Sequence, residues 1–306
     1  MKPSSSSDFR CGTVALLGRP NAGKSTLLNQ IIGSRIAIVT PKPQTTRHRI
    51  LGIHTDERCQ MVFVDTPGIH RGGNRLNRNM VRMAYAAATE ADVLVVLQDA
   101  SRPLDTGTRA MIRHFSETES AKPRIHVLNK VDRIAKPKLL PRLLEARALD
   151  EGAAAYIPLS ALKGTQIKSL MDTLAQSLPE GAPLYAADWY TDQSQRQLAS
   201  EYVREQVFLA MHQEIPFQTA VEIERFREGA GDNAFIEIEA VILVGSERHK
   251  PMVLGKGGER IKAIGTQARL GLEKLLDCRV RLNLWVKVQA DWFDNPQRLH
   301  ELGLDA

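Results

Sequence analysis

Apolar runs alternate with stretches of helical spacing over the first 180 residues of this 306-residue chain. A helix is expected to begin at Lys24, and the apolar runs lie at residues 14–18, 61–65, 93–98 and 125–130. Near-continuous apolar strands separated by helices predict an α/β fold, with a mostly parallel sheet that helices cover on both faces. Ligands of such a fold bind beyond the C-terminal ends of the strands.

A different pattern begins at residues 179–192. This segment has turn formers and scattered aromatics, and its apolar residues follow neither the helical nor the strand period, which predicts a linker. After it we expect a helix at 196–215, strands at 220–226 and 234–244, a helix that follows the glycine-rich turn and ends at about 276, and a strand at 279–288. This order predicts a small α+β domain on a three-stranded sheet. The expected boundaries are a first domain over 9–178, a linker over 179–195, a second domain over 196–290 and a tail over 291–306.

Composition narrows the class of protein. With 43% hydrophobic and 25% charged residues, the chain has enough apolar material for two cores. Its three cysteines, Cys11, Cys59 and Cys278, are odd in number and far apart, which argues against a disulfide framework or a paired-thiol metal site. No signal-like segment and no run of about 18 apolar residues is visible, so we expect a soluble, cytoplasmic protein.

The net charge of +6 is unevenly spread. Residues 1–180 hold 26 basic and 16 acidic side chains, whereas residues 181–306 hold 15 and 19. Within this acidic second part, residues 248–281 gather nine basic side chains against three acidic ones. Such a concentrated basic face suits a selective groove for a polyanion, because phosphate contacts supply affinity while repulsion elsewhere limits promiscuity.

Residues 18–25 read GRPNAGKS, which matches G-x-x-x-x-G-K-[ST] between an apolar strand and a helix. The backbone N–H groups and the helix N-terminus favour phosphate. Lys24 is predicted to neutralise charge on the β- and γ-phosphates, and Ser25 to ligate Mg²⁺. The predicted nucleotide contacts of this loop are Gly18, Asn21, Ala22, Gly23, Lys24, Ser25 and Thr26.

Three later segments predict that the nucleotide is GTP or GDP. In DTPG (65–68), Asp65 is expected to reach Mg²⁺ through water, and the Gly68 N–H to contact the γ-phosphate. In NKVD (129–132), the Asp132 carboxylate can accept from guanine N1–H and the 2-amino group, donors that adenine lacks. A backbone amide of SAL (160–162) is expected to contact guanine O6. The further predicted contacts are Thr66, Pro67, Asn129, Lys130, Ser160, Ala161 and Leu162.

Taken in this order, the motifs make residues 12–178 resemble a small GTPase of the translation-factor class, in the subgroup whose phosphate loop reads GxPNxGKS. The resemblance implies that PKPQTTRHR (41–49) is the first switch. Thr46 is the expected hydroxyl that ligates Mg²⁺ and senses the γ-phosphate, with Thr45 as the alternative. An ordinary polar loop with two threonines is the competing interpretation. The predicted catalytic residues are Lys24, Thr46 and Gly68.

The residue after the DTPG glycine also bears on catalysis. Many GTPases place a glutamine there to orient water, but this chain has Ile69, which predicts slow unaided hydrolysis. Some members of the subgroup bind K⁺ through the asparagine of the phosphate loop, and this makes Asn21 a candidate K⁺ ligand.

The second switch is expected at residues 71–82, which are polar and include two glycines. Such segments can order on the γ-phosphate and relax after its loss. Four arginines lie in it without an intervening acid: Arg71, Arg75, Arg78 and Arg82. A solvated helix face and a contact with a phosphate backbone are equally compatible with this spacing.

A second glycine-rich turn, LGKGGERIKAIG (254–265), lacks GK[ST] and follows a polar segment. Its G-x-x-G and the predicted order of elements resemble a type II KH domain, in which this turn clamps about four nucleotides of a single strand. The predicted RNA contacts are Gly255, Lys256, Gly257, Gly258, Arg260 and Lys262; an ordinary helix start with solvated lysines is the alternative. For Ile261 and Ile264, packing under bases and packing in the core are equally compatible. Trp285 is expected on the polar face of the last strand as a half-buried edge residue, with base stacking or docking on the neighbouring domain as the alternatives. Trp292 is expected to be a packing residue.

A GTPase of this subgroup followed by a KH domain, joined through EIPFQTAVEIE (214–224), resembles the Era family of GTPases. The resemblance implies a monomeric GTP/GDP and Mg²⁺ switch that binds near the 3′ end of small-subunit rRNA and assists assembly of the small ribosomal subunit. The alternative is a GTPase at the inner face of the cell membrane, whose basic face binds anionic lipid.

Overall fold

The computed structural model describes residues 9–70, 73–229 and 235–305. Its N-terminal sheet contains six strands: β1 (Arg10–Gly18), β2 (Ile50–Thr55), β3 (Cys59–Asp65), β4 (Val93–Asp99), β5 (Arg124–Asn129) and β6 (Ala155–Pro158). Their order is β2-β3-β1-β4-β5-β6. All neighbours pair in parallel except β2, which runs antiparallel to β3 at one edge.

Helices cover both faces of this sheet: α1 (Lys24–Ile32), α2 (Arg75–Glu90), α3 (Thr106–Thr118), α4 (Lys136–Leu149) and α5 (Ile167–Ser177). Alternate residues of β1 explain why both faces need cover. Val14 and Leu16 pack in one core with α1 and α5, while Ala15 and Leu17 pack in another with α2 and α3. A strand buried on both sides has no polar face, so the predicted α/β fold is confirmed.

The antiparallel edge strand β2 was not predicted. Its sequence, ILGIHT, reads as a short apolar run that periodicity alone does not assign to a strand. The turn into β3 is closed by Asp56, whose Oδ1 accepts from the N–H groups of Arg58 (2.8 Å) and Cys59 (2.9 Å).

The C-terminal sheet is built from β7 (Thr219–Glu228), β8 (Phe235–Val244) and β9 (Arg279–Val288), in the order β7-β8-β9. β7 and β8 are antiparallel, whereas β8 and β9 are parallel. Its helices are α6 (Gln195–Ala210), α7 (His249–Leu254), α8 (Glu259–Leu276) and α9 (Pro296–Glu301). The predicted helix, strand, strand, helix, strand order is present, with α7 added before the glycine turn.

The two faces of the C-terminal sheet pack against different parts of the chain. α6 and α8 cover one face. The other face contributes Ala220 and Leu243 to a cluster with Leu76 of α2 and the tail residues Trp292 and Leu299. The tail therefore lies between the second sheet and a helix of the first.

Residues 179–194 of the predicted linker have neither helix nor extended strand and lie along β2 and β3, whereas Gln195, its last residue, already begins α6. The Ile53 N–H donates to the Tyr190 carbonyl (3.0 Å), and Gln60 Oε1 accepts from the N–H groups of Leu184 (2.7 Å) and Tyr185 (2.9 Å). These bonds fasten the connection between the sheets. Among the described residues, no helix has both the length and the apolar character needed to span a bilayer.

Candidate functional site

A cleft of about 660 Å³ lies at the C-terminal ends of β1, β4 and β5. The predicted nucleotide contacts that line it are Asn21, Ala22, Gly23, Lys24, Ser25, Thr26, Thr46, Gly68, Asn129, Lys130, Asp132, Ala161 and Leu162. Gly18, Asp65, Thr66, Pro67 and Ser160 are buried and do not line the cleft. Thr66, for example, donates its hydroxyl to the Leu16 carbonyl (2.8 Å), so its side chain braces β1.

The phosphate loop is shaped by close backbone approach. A Cβ on Gly18 would lie 2.7 Å from the Leu97 carbonyl oxygen, and a Cβ on Gly68 would lie 2.6 Å from the Pro20 nitrogen. Only glycine fits at either position. The two loops can therefore converge on the same ligand.

The Lys24 side chain spans the loop, where its Nζ donates to the carbonyls of Gly18 (3.3 Å) and Arg19 (3.4 Å). Burial lowers the pKa of Lys24, and the nearby Asp65 carboxylate acts in the opposite direction. A buried cation without a full counter-charge favours an incoming phosphate.

Oxygen atoms converge beside this lysine. Ser25 Oγ lies 2.5 Å from Asp65 Oδ2 and 2.8 Å from Thr46 Oγ1, and Thr46 Oγ1 lies 3.4 Å from Asp65 Oδ2. Asp65 Oδ1 is buried without a hydrogen-bond partner among the described residues. Burial raises the pKa of Asp65, which Lys24 and the two hydroxyls oppose. Hard oxygen donors around an unsatisfied carboxylate fit Mg²⁺.

The two candidate threonines occupy different environments. Thr45 Oγ1 bonds to the Thr40 hydroxyl (2.7 Å) and to the Lys42 carbonyl (2.9 Å), within its own loop. Thr46 Oγ1 joins the Ser25 and Asp65 oxygens. The geometry therefore favours Thr46 for the metal-facing role.

The other end of the cleft is organised by Asn129. Its Nδ2 donates to the Ala22 carbonyl (2.8 Å), and its Oδ1 accepts from the Ala161 N–H (3.0 Å). This one amide joins the phosphate loop, the end of β5 and the segment after β6. Asp132 Oδ1 accepts the Ser160 hydroxyl (2.5 Å), which orients the carboxylate.

Two features of the cleft were not predicted. Asp99, at the end of β4, accepts from Lys130 Nζ (2.7 Å), which also donates to the Asn21 carbonyl (2.6 Å). Arg19 Nη1 donates to the Ile69 carbonyl (3.0 Å), which links the phosphate loop to the segment after DTPG. A polar residue ending an apolar strand is the signal that could have identified Asp99.

Ile69 is buried in the core beneath α2 and α3 and does not line the cleft. Asn21, the candidate K⁺ ligand, does line it, and its Nδ2 donates to the Pro41 carbonyl of the first switch (3.0 Å).

Of the four arginines in the second switch, Arg71 lies outside the described residues, while Arg75, Arg78 and Arg82 are exposed along α2. The start of α2 meets the tail. The Arg75 N–H donates to Asp294 Oδ1 (2.6 Å), and the Leu76 N–H donates to the Phe293 carbonyl (3.0 Å).

The second glycine turn is open to solvent. Gly255, Gly257 and Gly258 have φ of 74°, 58° and 81°, and a Cβ on Gly257 or Gly258 would meet nothing within 4 Å. These positive φ values favour glycine, and the space beside Gly257 and Gly258 leaves room for another backbone. The predicted basic contacts Lys256, Arg260 and Lys262 are exposed around the turn.

Apolar residues near the turn divide between core and surface. Ile264 is buried in the core beneath α8, and Ile261 packs against that core. Trp285 is 48% exposed on edge strand β9. Trp292 is fully buried, and its Nε1 donates to the Gln218 carbonyl (3.0 Å).

Comparisons with known proteins agree with both halves of this picture. Residues 13–130 match the family described as 50S ribosome-binding GTPase, and residues 214–293 match the KH domain. GTPase Era of Syntrophus aciditrophicus is 43% identical over 295 residues, which span 96% of this chain and 95% of the relative. GTPase Era of Pseudomonas aeruginosa is 44% identical over 296 residues, with the same coverage of both chains.

Solved structures extend the likeness to the relative placement of the two parts. An Aquifex aeolicus Era variant bound to GDP·AlF4⁻ superposes with a TM-score of 0.92 at 37% identity, covering 97% of this chain and 100% of that one. A structure of Era with MgGDPNP and nucleotides 1506–1542 of 16S ribosomal RNA has the same TM-score, identity and coverage.

Proposed function

Because this chain belongs to the Era family of GTPases, we propose that it is a GTP-driven switch that binds single-stranded RNA near the 3′ end of 16S rRNA and assists assembly of the small ribosomal subunit. The observation that carries the proposal is that one chain holds both a guanine-nucleotide cleft and an open G-x-x-G turn. Its likeness to Era bound to MgGDPNP and 16S rRNA nucleotides supports the choice of RNA.

The base of the nucleotide is selected at the Asn129 end of the cleft. There Asp132 accepts two hydrogen bonds from guanine, while Ser160 holds the carboxylate in place. Adenine would leave both acceptor positions unpaired, at a cost of several kcal/mol.

Hydrolysis relies on positioning and charge. Lys24 neutralises the β- and γ-phosphates, and the Gly68 N–H donates to the γ-phosphate. Ser25 and Thr46 would ligate Mg²⁺, with Asp65 holding it through water; the bound ion supplies further neutralisation of phosphate charge. Since Ile69 is turned into the core, no side chain at that position orients the attacking water, and slow unaided hydrolysis follows.

A K⁺ ion beside Asn21 is part of the proposal, and the asparagine's position between the phosphate loop and the first switch supports it. Comparison of turnover in matched NaCl and KCl tests this role. We expect faster hydrolysis in K⁺ and loss of that difference in Asn21→Ala. Equal rates in both salts would remove K⁺ from the mechanism.

RNA binding is assigned to the turn at Gly255–Gly258 and the exposed cations Lys256, Arg260 and Lys262. The open space beside Gly257 and Gly258 supports close approach of a nucleic-acid backbone. Phosphate contacts give such binding its affinity and its salt dependence.

The test measures binding of an RNA with the sequence of nucleotides 1506–1542 to the full chain with GDPNP or GDP. Gly258→Asp places a carboxylate where the RNA backbone approaches, so we expect at least about a hundredfold loss of affinity. Gly33→Asp is the matched control, because Gly33 has a similar φ (73°) and open surroundings but lies at the end of α1.

Binding of the wild type and of the same two variants to RNA and to anionic vesicles distinguishes an RNA-binding protein from a lipid-binding one. If the protein binds anionic phosphatidylserine vesicles tightly, and binds the RNA weakly in both nucleotide states, the RNA proposal is wrong and a membrane-surface role replaces it. Loss of RNA affinity in Gly258→Asp but not in Gly33→Asp supports the proposal.

We further propose the domain boundaries given above. The elements of the first sheet and its helices lie within 10–177, and those of the second sheet within 195–288. Limited proteolysis that cuts first within 179–195 would support this division, whereas early cutting inside either range would oppose it.

A further inference from the structure

The first switch is fastened to the second half of the chain on both sides of Thr46. From this geometry we propose that Arg204, on helix α6 of the KH domain, is a positioning residue for GTP hydrolysis, and that it holds Thr46 in its metal-facing place from outside the GTPase domain. The inference rests on the proposed nucleotide switch and adds a residue to it.

Arg204 contacts the backbone directly before Thr46. Its Nη2 donates to the Thr45 carbonyl, while its Nε donates to Glu201 Oε1 (2.8 Å) one turn earlier on α6. Arg204 and Glu201 are 3% and 6% exposed. A buried guanidinium held by a carboxylate cannot move freely, so the peptide that it grips is fixed with it.

Arg47 fixes the backbone directly after Thr46. It is 2% exposed, and it donates to the carbonyls of Thr219 (2.7 Å), Pro216 (2.9 Å) and Phe217 (3.0 Å). Pro216 and Phe217 lie in the turn between α6 and β7, and Thr219 is the first residue of β7. Thr46 therefore lies between two residues that both bond to the second half of the chain, Thr45 through its carbonyl and Arg47 through its side chain.

The segment that leads into Thr46 attaches to the same helix. Lys42 Nζ donates to the carbonyls of Phe208 and Met211 at the C-terminus of α6. Glu205 Oε1 accepts from the Val39 N–H (3.0 Å). Helix α6 and its C-terminus therefore hold residues 39–45 by hydrogen bonds. Because the segment is already held, it has less conformational freedom to lose when the nucleotide binds.

The contacts between the first switch and α6 also connect Thr46 to the RNA-binding turn. Tyr202 of α6 packs closely on Gly271 of α8, where an added Cβ would lie 2.8 Å from the tyrosine ring. Helix α8 begins at Glu259, directly after the G-x-x-G turn. Coupling through this path is reciprocal: if nucleotide binding at Thr46 changes the affinity for RNA, RNA binding changes the affinity for nucleotide by the same factor.

The experiment compares wild type with Arg204→Ala and Arg204→Lys. Equilibrium affinities for GDPNP and GDP are measured with fluorescent analogues over a range of Mg²⁺ concentrations, together with kcat and KM. The matched control is Arg225→Ala, which removes an exposed arginine paired with Glu239 on β7 and β8, away from the switch.

In Arg204→Ala we expect the preference for GDPNP over GDP to fall about tenfold, since a charge-assisted contact to the triphosphate-sensing loop is lost. More Mg²⁺ should be needed for half-maximal GDPNP binding, and kcat should fall more than KM changes. GDP affinity should stay within about twofold, because the positioning acts on the triphosphate state. Arg204→Lys should be intermediate, since lysine cannot hold Glu201 and the Thr45 carbonyl with one planar fork.

Circular dichroism and thermal unfolding establish that each variant is folded. If Arg204→Ala does not fold, Glu201→Gln weakens the hold on Arg204 while keeping the shape, and it should show the same shift to a smaller degree. A folded variant with unchanged GDPNP preference and unchanged Mg²⁺ dependence would overturn the positioning role. Failure of wild type to bind GDPNP or RNA would instead sink the proposed function.

Discussion

Gly23→Ala tests the join between the phosphate loop and the guanine end of the cleft. Gly23 has φ of 100°, and an added Cβ would lie 2.2 Å from Asn129 Nδ2. The Asn129 amide would have to move by about 1 Å or more to reach an ordinary contact distance. It would then lose its bonds to the Ala22 carbonyl and the Ala161 N–H, which are 2.8 and 3.0 Å long.

The expected loss follows from those two bonds. Each is worth about 1–2 kcal/mol, and both hold Asn129 in its place without nucleotide. In the free variant Asn129 relaxes away from that place, and GDP binding must restore the arrangement, so binding of GDP should weaken by about 2–4 kcal/mol. At 1.4 kcal/mol per tenfold, this is about 30-fold to 700-fold in Kd. Backbone strain of about 1–2 kcal/mol at positive φ is present with and without nucleotide, so it should lower stability and largely cancel in the Kd.

The assay is calorimetric titration with GDP, accompanied by thermal unfolding. Gly33→Ala is the control, because Gly33 has φ of 73° and an added Cβ there would meet nothing within 4 Å. Both variants should lose similar stability from strain, but only Gly23→Ala should lose affinity. Equal GDP affinities in the two variants would refute the argument that Asn129 carries the join.

Three further outcomes are expected. Asp132→Asn should lose GTP affinity by about a hundredfold or more and gain affinity for xanthosine triphosphate, measured by competition; an unchanged GTP Kd would remove Asp132 from base selection. Burial raises the pKa of Asp150, but hydrogen bonds with His126 and Arg124 lower it more, so the net pKa lies below the usual value. Its stabilisation is therefore present above the unfolded pKa of about 4 and is lost gradually as the pH falls below it towards the folded pKa. Asp150→Asn should then cost about 3–5 kcal/mol at pH 7, and progressively less as the pH is lowered below about 4, in urea unfolding. Trp292→Ala should cost about 3–5 kcal/mol, seen as a lower melting temperature; a change below 1 kcal/mol would show that the tail contributes little.

The sequence predicted the nucleotide motifs and the RNA turn with their residues because each depends on short, local spacing. GRPNAGKS needs only a strand before it and a helix after it, and β1 and α1 provide both. The choice between Thr45 and Thr46 could not be made in this way. Adjacent threonines look alike along the chain, and only the folded loop turns one hydroxyl inward and the other towards Ser25.

The edge strand β2, helix α7 and the packing of the tail were also beyond prediction. β2 depends on pairing with β3, and Trp292 depends on surfaces brought together from α2 and the second sheet. Such contacts join residues far apart in sequence, and periodicity carries no information about them.

The amino-acid sequence by itself determined that this protein binds a guanine nucleotide at one end and carries an RNA-type glycine turn at the other. Only the tertiary structure decided how the nucleotide site contacts the half of the chain that carries the glycine turn. Arg47 and Arg204 are ordinary charged residues in sequence, each in a polar or helical stretch. They become anchors of Thr46 because folding buries both guanidiniums and brings carbonyls of the other half of the chain within hydrogen-bonding distance of each.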